Sequence, residues 1–258
     1  MRILLFLILL GSTYSLEGQD NKSHFTKKSF KAKSGHLLPY RIAIPPESKL
    51  TKKPLLLFLH GAGERGDDNE KQLTHGASFL SKAVTKHNAI VITPQCKKES
   101  YWSSVDVDRS SMPLELSFDY HRKDITPDLQ AVRELINEIR RTYNIDHKRI
   151  YVMGLSMGAM GTFEIVNRFP KCFAAAVPIC GGGDSINYTS KARKVPFWIM
   201  HGDTDAVVSV NESREMVSAL KDKRYDVRYT EYPGVNHNSW DNAFVEPGLL
   251  DWVFGHRR

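Results

Sequence analysis

Gly154-Leu155-Ser156-Met157-Gly158 sets a serine between two glycines, each two residues away. A serine hydroxyl is a weak nucleophile at neutral pH. It becomes a useful one when the backbone holds it out on a sharp turn and a neighbouring base takes its proton. Such a turn folds the chain back on itself, so the residues two before and two after must be small, and Gly154 and Gly158 meet that demand. With glycine at about 7% of residues, the spacing alone arises by chance in roughly one chain in ten of this length. Its surroundings add weight. An apolar run at 150–153 precedes it, and Ala159, Met160, Phe163, Ile165 and Val166 follow in a helical pattern. The serine therefore falls on a strand-to-helix corner, with the positive end of the helix under the attacking oxygen.

A nucleophilic serine needs a base, and the base needs an acid to hold its tautomer. Two carboxylates compete in His201-Gly202-Asp203-Thr204-Asp205, directly after the apolar run 197–200. Asp203, beside glycine, is placed to close the turn through backbone hydrogen bonds, and Asp205 is the favoured acid. Of the ten histidines, His237 follows the last strand-like run and lies downstream of the acid. His60 and His201 each precede a glycine at a strand end, but both come before a partner that the order serine, acid, histidine requires, and they read as structural. The tetrahedral intermediate also needs donors for its oxyanion. The backbone amides of Met157, after the nucleophile, and of Ala62, in His60-Gly61-Ala62-Gly63-Glu64-Arg65-Gly66, are the candidates. A phosphate-binding reading of that glycine-rich loop lacks the Lys-Ser/Thr pair and the G-x-G-x-x-G spacing.

The elements that must carry these residues alternate along the chain. Two weakly alternating segments, 29–33 and 37–44, flank Ser34-Gly35 as a hairpin. Short continuous apolar runs at 55–59, 89–93, 150–153, 174–179 and 197–200 suit strands buried on both faces. Leu129, Val132, Leu135, Ile136, Ile139 and Tyr143 share one face of a helix opened by Thr126 as N-cap and Pro127 in its first turn. Further helices are expected at 157–169 and 213–220, and a strand at 227–232. The sum is an α/β chain with a mixed, mostly parallel central sheet and helices on both faces, whose ligands bind at the carboxyl ends of the strands. The connection 95–124 is too long for an ordinary link and carries Tyr101, Trp102, Met112, Phe118 and Tyr120, which marks it as a substrate-covering segment. Trp102 and Trp240 are expected to line the acyl or alcohol pocket.

Composition bounds the rest. The 258 residues, a quarter of them charged, suit one globular domain at 16–258. Met1-Arg2 followed by an apolar run at 3–10 reads as a signal peptide over 1–15, too short for a membrane anchor, so a secreted or periplasmic chain is expected. The formal charge of +7 is spread over short clusters, among them Lys97-Lys98, Arg140-Arg141 and the run 191–194, which read as solvated faces. No nucleic-acid motif accompanies them. No metal or cofactor motif is evident, and nothing sets an oligomeric state. Cys96, Cys172 and Cys180 are odd in number. An extended strand would hold Cys172 and Cys180 too far apart to bridge, so free thiols are expected.

With these residues in place, 54–252 resembles the α/β-hydrolase superfamily, and within it the exported esterases of the polyhydroxybutyrate-depolymerase-like, feruloyl-esterase-like or "predicted peptidase" group. The resemblance rests on the stretch 57–69 with its glycine-rich loop, on Pro94-Gln95 with Trp102, and on Gly154 to Gly158. It rests also on His201 to Asp205 with Val207-Val208, and on Tyr232-Pro233-Gly234 with His237 and Ser239-Trp240. It implies the α/β-hydrolase fold and carries nucleophile, acid and base onto Ser156, Asp205 and His237. The expected activity is a serine esterase acting through an acyl-enzyme on feruloyl, acetyl or other sugar-linked acyl esters, the substrate being a small molecule or linked to a polysaccharide. A peptidase or other amide hydrolase on the same three residues is the alternative. A non-hydrolytic binding protein would have no reason to keep all three in order.

Overall fold

The continuous apolar runs become strands that expose nothing on either face. In a computed structural model describing residues 22, 24–46, 51–189 and 195–258, β3 (Lys53–Leu59), β4 (Ile90–Pro94), β8 (Ala175–Ile179) and β9 (Phe197–Gly202) are buried along their whole length. With β7 (Ile145–Leu155) and β10 (Val227–Tyr232) they pair in parallel. β1 (Thr26–Lys31) and β2 (Leu37–Ala43) form the expected hairpin, and β2 joins the sheet antiparallel to β4. The eight-stranded order is β1-β2-β4-β3-β7-β8-β9-β10. Alternate residues of each inner strand feed opposite cores. Leu55, Leu57, Ile150 and Val152 face one side, and Leu56, Phe58, Tyr151 and Met153 the other.

Helices cover both cores. α1 (Ala77–His87), unforeseen from the sequence, sends Phe79, Leu80 and Val84 into the second core. α2 (Pro127–Thr142) starts as expected, with Thr126 Oγ1 accepting from the Leu129 amide at 3.3 Å and Pro127 in the first turn. Leu129, Val132, Leu135, Ile136 and Ile139 form its buried stripe in the first core. α3 (Met157–Arg168) and α4 (Val210–Asp222) share that side through Phe163, Val166, Met216 and Leu220, while α6 (Leu249–Gly255), following the one-turn α5 (Trp240–Ala243), packs Val253 and Phe254 on the other. Among the described residues no helix is long and apolar enough to cross a membrane. The leader expected at 1–15 and the basic run at 191–194 lie outside the described residues. All three cysteines are buried and free.

The long connection between β4 and α2 is built. It contains an antiparallel hairpin, β5 (Val105–Asp108) with β6 (Glu115–Phe118), and it is fastened to α3 and to the sheet's edge. Glu164 of α3, with no exposed side-chain surface, accepts from Ser103 Oγ at 2.7 Å, the Ser104 amide at 2.7 Å, Ser104 Oγ at 2.9 Å and Arg168 Nε at 2.7 Å. Arg168 also donates to Lys123 O at 2.8 Å, tying down the far end of the same segment. At the hairpin, the Leu114 amide donates to Val207 O at 2.9 Å. A buried carboxylate is stable only when such donors surround it, which is why the serines and the arginine converge there.

Candidate active site

β3, β7, β9 and β10 end at one edge of the sheet, and the loops leaving them carry Ala62, Ser156, Asp205 and His237. Ser156 sits between β7 and α3 with φ +53° and ψ −117°, a strained conformation for a residue with a side chain. The corner closes because its flanks lack Cβ atoms. A Cβ on Gly154 would lie 2.2 Å from Gly158 O, and one on Gly158 would lie 2.0 Å from Leu59 O. The Ser156 amide is tied to Ile179 O at 2.8 Å, fixing the corner to β8.

Ser156 Oγ lies 2.9 Å from His237 Nε2, and His237 Nδ1 lies 2.7 Å from Asp205 Oδ2. A hydroxyl donating to Nε2 requires the histidine proton on Nδ1, where the carboxylate accepts it. Asp205 Oδ1 takes the Val207 and Val208 amides at 2.8 and 2.9 Å. Burial raises the acid's pKa, but hydrogen bonds from His201, His237 and the Val207 amide outweigh it and hold the carboxyl well below the usual range. Asn236 Oδ1 joins the two loops by accepting from the Ala206 amide at 2.9 Å and the His237 amide at 2.7 Å. Asp203, the competing carboxylate, turns away and accepts from the Gly234 amide at 2.7 Å.

The amides expected to receive an oxyanion belong to Met157, the first residue of α3, and Ala62, the first of the short turn Ala62–Glu64. First-turn amides have no partner within their own helix. Both residues line the cavity that holds Ser156 and His237, about 260 Å³ in volume. Its apolar wall comes from Val107, Leu114 and Leu116 of the hairpin together with Met160 and Val207, and Glu64, His75 and Arg109 add polar groups. A charged cleft of about 610 Å³ adjoins it at Ala62 and Gly63, lined by Asp67, Asp68, Lys71, Lys97 and Glu99 among others. That cleft is the larger of the two, but it holds neither Ser156 nor His237, so the smaller cavity is the candidate site.

Trp240 lines the cavity, edge-on to His237 at 5.5 Å and beside His75 at 5.0 Å. The expectation for Trp102 is corrected. Trp102 is 0% exposed and is absent from the cavity lining. Its indole donates to His60 O at 3.1 Å and its ring meets His60 edge-on, packing the long connection onto the sheet, while its neighbour Tyr101 faces the cavity. His60 is structural as read. Its Nε2 accepts the Cys96 amide at 3.0 Å, and burial lowers its pKa to about 4. The hairpin wall leaves only a faint trace in the sequence, the alternation of Val105/Val107 and Leu114/Leu116, and a contact of His201, whose Nε2 lies 3.1 Å from Asp205 Oδ2, leaves none.

Comparison with known proteins adds to this geometry. A family model described as Phospholipase/Carboxylesterase matches residues 43–246. A bifunctional acetylxylan esterase/xylanase, XynS20E of Neocallimastix patriciarum, is 32% identical over 179 residues, which is 69% of this chain and 23% of that protein. Carboxylesterase SOBER1 of Arabidopsis thaliana is 24% identical over 194 residues, covering 72% of this chain and 84% of the relative. The crystal structure of a thermostable esterase superposes with a TM-score of 0.80 at 36% identity, over 92% of this chain and 64% of that one. The chain thus spans under a quarter of the first relative and under two thirds of the esterase structure.

Proposed function

The chain belongs to the phospholipase/carboxylesterase family and has the α/β-hydrolase fold, and from that premise we propose that it is a carboxylic ester hydrolase in which Ser156 is the nucleophile, His237 the base and Asp205 the acid. The observation that carries this reading is the unbroken line from Ser156 Oγ to His237 at 2.9 Å and on to Asp205 at 2.7 Å. Ser156 Oγ attacks the ester carbonyl as its proton passes to His237 Nε2. The Met157 and Ala62 amides receive the oxyanion, the alcohol leaves with the proton from Nε2, and an acyl-enzyme remains. A water deprotonated by His237 then attacks the acyl carbon, and the free acid departs as Ser156 recovers its proton. Asp205 stays ionised throughout and steadies the imidazolium formed in each half-reaction.

The acyl group fits the hairpin wall of Val107, Leu114 and Leu116, with Trp240 at the mouth. The alcohol side opens at Ala62 and Gly63 onto the charged cleft, whose carboxylates and lysines are hydrogen-bonding partners for hydroxyls. This division favours short or aromatic acyl groups on a hydroxyl-rich alcohol such as a sugar, in line with the esterase half of the Neocallimastix relative. An exported location belongs to the same reading. Fluorophosphonate labelling tests the nucleophile. Wild type should be labelled and Ser156→Ala should not, with hydrolysis of a short acyl ester down by on the order of 10⁴ to 10⁶ while the fold is kept. Activity of Ser156→Ala within tenfold of wild type refutes the assignment. A panel of acetyl and feruloyl esters on sugar and simple alcohols then reads the substrate class.

A further inference from the structure

His201 stands at the carboxyl end of β9, in register with Glu231 of β10, and is wholly buried. Its Nε2 faces two acceptors, Asp205 Oδ2 at 3.1 Å and Val208 O at 3.0 Å. Nε2 must therefore carry a proton, since a bare nitrogen there would face only lone pairs. Nδ1 lies 2.7 Å from Ser213 Oγ of α4, and that oxygen lies 2.9 Å from Gly181 O. Ser213 has a single proton for these two neighbours. Given to Nδ1, it leaves His201 neutral. Given to Gly181 O, it obliges Nδ1 to donate as well, which makes His201 an imidazolium against Asp205.

These contacts run back to the nucleophile. A Cβ on Gly181 would lie 2.6 Å from Ala159 Cβ and 2.9 Å from Ser156 O, so this residue is pressed against the corner that holds Ser156. Ser156, His237, Asp205, His201, Ser213 and Gly181 form a closed ring of polar contacts, completed by the packing of Gly181 on Ser156, in which the single Ser213 proton serves either His201 or Gly181. The groups of charge or titration around His201 are Asp205 on its own loop, His237 beyond it, Glu231 alongside on β10, Cys180 after β8, and Glu212 next to Ser213. Ser213 and Gly181 are buried as well, so bulk water does not replace a donor that is lost.

We propose that His201 is a positioning residue of the active site. As a neutral ring protonated on Nε2 it supplies a second donor to Asp205, and Ser213 fixes that tautomer. The carboxylate has two oxygens to orient. Val207 and Val208 hold Oδ1, while His237 alone would hold Oδ2 and would move with each proton transfer. His201 keeps Oδ2 in place when His237 gains and loses its second proton. The neutral form is the working one, because a cation beside Asp205 would cancel the negative charge that steadies the His237 imidazolium. This inference rests on the triad proposed above.

Glutamine and asparagine replace opposite ends of the ring. The amide nitrogen of His201→Gln reaches the position of Nε2 and keeps a donor toward Asp205, whereas that of His201→Asn reaches only the position of Nδ1. Measured per folded protein, His201→Gln should keep kcat within about threefold, while His201→Asn and His201→Leu should lose kcat about ten- to hundredfold at unchanged KM. In the latter two the acid limb of kcat/KM should move up by about half a unit or more, because an Asp205 with one donor fewer pulls harder on the His237 proton. If all three variants lose melting temperature but keep kcat and the acid limb, the role is structural and the proposal is overturned. If glutamine and asparagine are equally impaired, the donor to Asp205 is not what matters, and the proposal is again overturned. Ser156→Ala, assayed alongside, separates the two levels. Activity surviving in it would remove the triad reading itself, whereas inactive Ser156→Ala with unimpaired His201 variants would remove only the present inference.

Discussion

Glu164→Gln tests whether the substrate wall depends on one buried carboxylate. The wild-type side chain accepts four hydrogen bonds, three of them at 2.7 Å from Ser103 Oγ, the Ser104 amide and the Arg168 guanidinium. Glutamine keeps one accepting oxygen and turns an NH₂ group toward donors, so about half of the bonds are lost and the Arg168 charge is left without its carboxylate. Breaking a buried pair from one side costs about 3–5 kcal/mol. For a chain of this size, 1 kcal/mol moves the melting temperature by about 2–4 °C, so a fall on the order of 10 °C is expected in a calorimetric scan. The hairpin forms the apolar wall but contributes no member of the proposed triad. KM for a bulky acyl ester should therefore rise several-fold, while kcat for an acetyl ester changes little among folded molecules. A melting temperature within about 2 °C of wild type, with unchanged KM for both esters, would refute the reasoning that Glu164 fastens this segment.

Asp205→Asn should cut turnover by on the order of 10³ to 10⁴ with folding retained, because the amide cannot hold the Nδ1–H tautomer, whereas Asp203→Ala should cost about 1–3 kcal/mol in urea denaturation and leave kcat near wild type; the reverse pattern would exchange their roles. Trp240→Ala should change the ratio of kcat/KM between a feruloyl and an acetyl ester at nearly constant melting temperature, while Trp102→Ala should lower the melting temperature and depress both substrates in parallel. Burial takes His60 from 6.5 to about 4, so the unfolded chain binds its proton first, and stability intact above pH 6.5 is lost progressively down to pH 4, by about 3 kcal/mol in full. Glu212 opposes it: burial and then the neighbouring Glu215 raise it from 4.5 to about 7, so its contribution is present below pH 4.5 and lost as pH rises through 7. Glu212→Gln should therefore leave a stability curve that falls steadily on acidification, and a flat curve between pH 7 and 4 in that variant would contradict the burial argument.

Much of this was legible because buried parallel strands write themselves as unbroken apolar runs. Residues 197–200 and 227–232 were read as strands that the structure extends by at most two residues, and Thr126-Pro127 gave the start of α2 outright. The corner at Ser156 was legible for a related reason, since two close backbone approaches admit glycine alone and glycine can be read directly. α1 was missed because its buried stripe is half made of small residues, Ala77, Ser81 and Ala83, and Gly76, rather than a capping side chain, precedes it. The hairpin was missed because its four-residue strands are half-exposed, with too few turns of alternation to count. Trp102 was misplaced for a different reason. Its position after a strand end is the same whether the ring turns toward the cavity or toward the sheet, and the choice was made by His60, whose carbonyl accepts the indole N–H. The second partner of Asp205 was out of reach in the same way, because a buried His-Gly pair at a strand end describes both His60, which touches no acid of the triad, and His201, which does.

The fastening of the hairpin divides the chain into parts that are free to change at different rates. One contiguous segment, 95–124, supplies most of the apolar wall of the cavity; its flanks are moored to the end of β3 through Trp102 and to α3 through Ser103, Ser104 and Lys123, while its hairpin meets the sheet's reacting edge through the backbone bond from Leu114 to Val207. Substitutions on its inward face can recut the cavity without disturbing the corner at Ser156, provided Ser103, Ser104 and Glu164 persist. The Val207 peptide is the exception, since it receives the hairpin on its carbonyl and gives its amide to Asp205. A lengthened or shortened hairpin that shifts this one peptide would carry the change into the acid itself. The hairpin, rather than the whole segment, is thus the part open to variation, and grafts from related esterases should keep Leu114 in place.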